Sequence, residues 1–134
     1  MELSHSDITL EWTPPPDGAL GHYWHRERVI LLHPGMPRRQ ARSVLCHELR
    51  HAEHGDVTTG NRYHDARQEV RADREAARLL ITLDDLRQAV AIHGHHLSAC
   101  AVELRVSDDL LRTRLQYLHP SERAWLNRCA ASGV

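Results

Sequence analysis

Hydrophobic and polar positions change their period once along this chain, near Pro37. Before that point the pattern is that of strands. "ITLEW" (Ile8 to Trp12) alternates, Pro14-Pro15-Pro16-Asp17-Gly18 forces a loop, and "HYWHRERVILLH" reads as a hairpin turning near Arg26-Glu27. Its second arm, Val29 to Leu32, is apolar throughout and predicts the best buried strand. After His33-Pro34-Gly35-Met36-Pro37 the residues Ala41, Val44, Leu45, Leu49 and Ala52 recur three or four apart, one face of a helix, and Gly55 offers its C-cap. A polar loop, Asp56 to about Asn61, leads to a second helix with body "ARQEVRADREAARLLI", whose Val70, Ala76, Ala77, Leu79 and Leu80 are predicted to face inward. Thr82, with Asp85 three residues later, marks another helix start. The remainder divides into helical pieces near Asp84 to His93, Leu97 to Leu104, Ser107 to Leu118 and Ser121 to Ala131.

The pattern predicts an α+β fold in a single domain, 1–134: a small N-terminal antiparallel sheet (1–37), two central helices (38–81) and C-terminal helices (82–134). At 134 residues and 41% hydrophobic, the chain can build one core but not two. Its formal net charge of -1 gives no global field for a phosphate backbone, so direct DNA binding is not expected. Cys46, Cys100 and Cys129 are odd in number and unclustered, which points to a reducing compartment rather than a disulfide framework. "MELSHSDITLEW" lacks a basic segment followed by an apolar run, and no run of about 18 apolar residues occurs, so a cytoplasmic protein without a membrane anchor is expected.

Candidate chemistry enters with "SVLCHELRHAEHGD" (Ser43 to Asp56), which contains His47-Glu48-Leu49-Arg50-His51. On a helix His47 and His51 lie about 40° apart and about 6 Å along the axis, so two imidazoles can converge on one ion. Glu48 sits about 100° round from His47, displaced from the ligand pair but able to lean over bound water as general base. With 12 histidines in the chain, an accidental HExxH arises roughly one time in fifteen, so a second motif is needed. Glu69, on the following helix of an αα-hairpin, can fold back as third ligand, and Asp73 on the same face can accept the outer N–H of a ligating histidine. An exposed acidic stripe balanced by Arg67, Arg71 and Arg74 is the alternative.

His47-Glu48-Leu49-Arg50-His51 followed by "QEVRADREAARLLI" (Gln68 to Ile81) resembles the ImmA/IrrE-type zinc metallopeptidases, over roughly Gly21 to Leu118. The resemblance implies a zincin-like helical core in which His47, His51 and Glu69 bind Zn²⁺ and Glu48 is general base and then general acid in peptide hydrolysis. It also implies a protein substrate, which in this family includes transcriptional repressors, and a substrate segment added as an extra strand at Val29 to Leu32. Arg71 and Glu75 depart from the family pattern, standing where an acidic residue and a large aromatic are usual. A regulator that keeps the metal as structure and acts by binding protein or DNA is the rival function.

Other histidines and the C-terminal segment carry candidate roles of their own. His54, three residues past His51, could approach the metal, but His51 already completes the i, i+4 pair, and His93-Gly94-His95-His96 reads as a turn after a helix. Tyr63, His64 and Arg67, between the two motifs, are candidate donors to an oxyanion, His64 foremost. "LSACAVELRVSDDLLRTRLQYL" (Leu97 to Leu118) has a helix-turn-helix pattern whose Arg112 and Arg114 face either phosphates or, in a plain αα-hairpin, the protein itself.

Overall fold

Val29–Leu32 carries the apolar run, and in the computed structural model, which describes residues 7–131, it becomes the middle strand of a three-stranded sheet. β1 is Thr9–Glu11, β2 is Gly21–Trp24 and β3 is Val29–Leu32, in the order β1-β3-β2. β2 and β3 form the expected hairpin, with Gly21 opposite Leu32 and Tyr23 opposite Ile30. The sheet is mixed rather than antiparallel, because β1 pairs with β3 in parallel. The segment from Trp12 to Leu20, with a 3-10 turn at Pro16–Gly18, is long enough to cross the hairpin, so β1 lands on the far side of β3 running in the same direction. Both edges of β3 are therefore paired. The strand that the family resemblance marked for substrate addition is closed, and among the described residues the free edge on this side belongs to β2.

Six helices follow: α1 Arg38–His54, α2 Arg62–Leu80, α3 Leu83–His93, α4 Leu97–Leu104, α5 Asp108–Gln116 and α6 Pro120–Ala131. Gly55 ends α1 with φ 65°, ψ 33°, a left-handed conformation that glycine adopts without a Cβ penalty. Asn61, Thr82 and Ser107 cap α2, α3 and α5 by accepting the N–H three residues on. No helix among the described residues is long and apolar enough to cross a membrane.

The core has two parts, with α1 between them. Tyr23, Ile30 and Leu32 of the sheet meet Val44, Leu45, Leu49 and Ala52 of α1. On the other side, Ile81, Leu86, Val106 and Leu111 join α2 to α5, and each such buried aliphatic contributes on the order of 1.5–3 kcal/mol. Cys46 packs against this second part and no disulfide involves any of the three cysteines. Two of the positions expected inward on α2, Val70 and Leu79, are exposed. The buried stripe runs through Gln68, Ala72 and the expected Ala76 and Ala77, and its alanines let α2 lie close to its neighbours.

Polar side chains fix α1 against the C-terminal half. Arg39 donates to the Val106 carbonyl at 2.9 Å and Arg42 to the Arg105 carbonyl at 2.8 Å, satisfying groups at the end of α4. Buried Ser43 accepts the Ser107 N–H at 2.9 Å. Arg114 is buried and donates to the Ile81 carbonyl at 2.8 Å, while Arg112 pairs with Asp109. The Leu97 to Leu118 segment thus closes the core as an αα-hairpin, with Arg114 turned inward.

Gly21 is where β2 crosses α1. A Cβ there would lie 2.5 Å from Val44 Cγ1 and 3.2 Å from Glu48 Oε2. Gly21→Ala is expected to destabilise the protein by about 1–3 kcal/mol through this overlap, read as a lower midpoint in urea unfolding, and to move Glu48. An unchanged midpoint would show that the crossing has slack.

Candidate metal centre

α1 presents His47 and His51 one turn apart, and α2 returns alongside it to bring Glu69 over both. His47 Nε2 lies 2.9 Å from Glu69 Oε1, His51 Nε2 lies 3.0 Å from Glu69 Oε2, and the two Nε2 atoms are 3.1 Å apart. The outer nitrogens are occupied. His47 Nδ1 donates to Asp73 Oδ1 at 2.7 Å, and His51 Nδ1 donates to Asp56 Oδ2 at 2.8 Å. Each ring is thereby held in the tautomer that leaves Nε2 free to ligate.

This triangle suits a cation. Two neutral imidazole lone pairs aimed at each other across 3.1 Å repel, so the arrangement needs either a proton or a metal ion between them. Its edges are close to the roughly 3.3 Å that ligands at about 2.0–2.1 Å make around a tetrahedral zinc, and N, N, O is a donor set that zinc accepts with a fourth position open. His47, His51 and Glu69 form the candidate metal-binding group found among the described residues.

Without metal the charge resides on the side chains. Burial opposes a charge on His47, but hydrogen bonds to Asp73 and Glu69 outweigh it and raise its pKa to about 10. His51 is raised in the same way, by Glu69 and Asp56 against burial. The two histidines hold the Glu69 carboxyl well below the usual range.

Glu48 stays outside the triangle. It is buried, with Oε2 4.0 Å from His47 Nε2, and burial raises its pKa while the neighbouring histidines oppose the rise. A cleft opens on each side of it. One, about 330 Å³, is lined by Leu20, Val44, His47, Asp73 and Leu110, and the other, about 260 Å³, by His22, His51, Asp56 and Gln68. Gly21, Glu48 and Glu69 line both, so β2 forms one wall of a groove passing over the site.

Two of these residues escaped the sequence reading. Asp56 follows the left-handed Gly55, and that turn folds its N–H back onto the His51 carbonyl at 2.9 Å, setting its carboxylate beside the His51 ring. Arg71 holds the same carboxylate from α2. His22 is one of several histidines on or near the strands, and only the edge position of β2 singles it out. By contrast, Tyr63 is 74% exposed, His64 is exposed with its backbone N–H used by the Asn61 cap, and neither lines a cleft beside Glu48. His54 pairs with Glu75 at 2.9 Å, away from the triangle. His93 pairs with Glu103 and His96 caps α4, a turn after a helix.

Residues 7–116 match the IrrE N-terminal-like domain, a family of M78 peptidases. The chain belongs to this family. No curated protein and no solved structure matches it. The match extends the resemblance read from the motif helices back through β1, while α6 lies beyond it. In this IrrE-like domain the two departures from the family pattern have partners: Arg71 pairs with Asp56, and Glu75 with His54 and Arg50. Family and ligand geometry together describe a metallopeptidase-type domain with three side chains arranged to hold a metal ion.

Proposed function

We propose that this domain is a zinc-dependent endopeptidase that cleaves a protein substrate, with a transcriptional repressor as the class the family resemblance favours. The observation that carries the reading is Glu48, a buried carboxylate held 4.0 Å from one corner of a His47–His51–Glu69 triangle yet outside it. A purely structural metal would need no such neighbour. When bound, zinc supplies Lewis-acid polarisation of a carbonyl and lowers the pKa of water towards neutrality. Glu48 then takes the proton of the attacking water and passes it to the leaving amine, a task suited to a carboxylate whose pKa burial has raised. Asp73 and Asp56 hold the two imidazoles in place. An extended substrate segment pairs with the outer edge of β2, the strand whose Gly21, lacking a side chain, lies close against Glu48 and so brings that edge beside the general base.

Mass spectrometry of a proteome-derived peptide library tests this reading. Wild-type protein is expected to produce new internal cleavages that vanish with a chelator and return with zinc. A library left intact by the zinc-loaded protein would contradict it.

Metal loading has a calculable pH dependence. In the metal-free protein His47 is protonated up to about pH 10, whereas a ligand must be neutral, so binding displaces a proton. Zinc affinity is expected to rise by about tenfold per pH unit for each proton displaced, from pH 6 towards 9, in competition with a chromogenic chelator of known pH behaviour. The sign for stability is the opposite in the metal-free protein. A histidine raised from 6.5 to about 10 contributes stability that is complete below 6.5 and lost as pH rises to 10. A pH-independent zinc affinity would contradict the protonated starting state.

A further inference from the structure

α2 has a second, basic face. Glu69 and Asp73 point to α1, while Arg67, Arg71, Arg74 and Arg78, spaced four, three and four apart, share the opposite side of the helix. They rim a groove of about 560 Å³ whose apolar lining comes from Tyr63 and Val70, 74% and 44% exposed. Two of the guanidiniums are held by aromatic rings: Arg67 lies 5.6 Å from the Tyr63 centroid and Arg74 4.4 Å from that of Tyr117. Neither has a carboxylate partner among the described residues, so both keep donors available. Arg71 and Arg78 are neutralised in place by Asp56 and Glu122. The one carboxylate in the groove lining, Glu75, is already engaged by His54 and Arg50.

The chain as a whole is nearly neutral, so this concentration of positive charge beside exposed apolar surface is local. We propose that the groove is a docking site for an acidic, amphipathic segment of a protein partner, on the side of α2 opposite Glu69 and Asp73. Charge complementarity selects the acid: carboxylates of the segment meet Arg67 and Arg74. Aliphatic side chains of the segment cover Val70 and Tyr63, and the near-neutral net charge of the chain supplies no wider field for a phosphate backbone. Docking requires neither zinc nor Glu48, so it stands apart from the peptidase reading.

The test is fluorescence anisotropy with a labelled amphipathic peptide of glutamate and leucine, beside a lysine–leucine peptide and a labelled DNA oligonucleotide. The glutamate–leucine peptide is expected to bind saturably and to weaken as salt increases. Arg67→Glu/Arg74→Glu should lower its affinity at least about tenfold, Val70→Ala severalfold, and Glu48→Gln or chelation not at all. Arg67→Glu alone guards against misfolding, because Arg67 touches only an exposed ring. The proposal is overturned if the acidic peptide fails to bind, if it binds the folded Arg67→Glu variant as well as wild type, if the lysine–leucine peptide binds equally, or if the oligonucleotide takes the groove in its place.

Discussion

Glu48→Gln is expected to lower peptide hydrolysis by about 10²–10⁴-fold while zinc remains bound at the wild-type level. The substitution keeps the shape of the side chain and its packing against Gly21, but an amide cannot accept the proton of the attacking water. Zinc is retained because the Glu48 carboxylate is not part of the triangle that His47, His51 and Glu69 form. Replacing a buried carboxylate whose pKa is already raised by a neutral isostere also has little effect on stability, so equal thermal midpoints should accompany the loss. The two readouts separate the rival functions. Wild-type activity in the variant would remove Glu48 from the mechanism and favour a binding regulator, and loss of zinc would make Glu48 a ligand.

Glu69→Ala should act on the metal itself. Removing one of three protein ligands is expected to weaken zinc binding by more than about 100-fold, beyond the roughly 10–100-fold expected when a group behind a ligand is lost. Asp73→Asn, which disturbs only the outer nitrogen of His47, supplies that smaller effect for comparison. The order of the two affinities, measured by chelator competition, is the check. If Asp73→Asn costs more than Glu69→Ala, the assignment of ligand and supporting carboxylate is reversed, and equal costs would contradict it.

Local periodicity made most of the helices readable, and its failures have physical causes. The i, i+4 spacing of His47 and His51 is a property of any helix, so their convergence followed from the residues alone. Glu69 and Asp73 were legible because only a short loop separates α2 from α1, which leaves an antiparallel neighbour as the simple arrangement. Asp56 was read as loop because its role depends on the left-handed Gly55 bending the chain back, an event that hydrophobic period does not record. Strand direction was likewise hidden, since alternation in "ITLEW" is the same whether β1 pairs parallel or antiparallel. Hydrophobicity alone predicts Val70 and Leu79 inward, yet α2 approaches its neighbours through alanines, and Val70 instead lines the arginine-rich groove.

Where the metal binds is measured most directly by an anomalous difference map at the zinc edge from crystals grown with limiting zinc. It should show a peak within about 2.0–2.2 Å of His47 Nε2, His51 Nε2 and a Glu69 carboxylate oxygen, with Glu48 outside the ligand set. A peak that included Glu48 or His54 as a ligand, or that lay away from the two motif helices, would contradict the account.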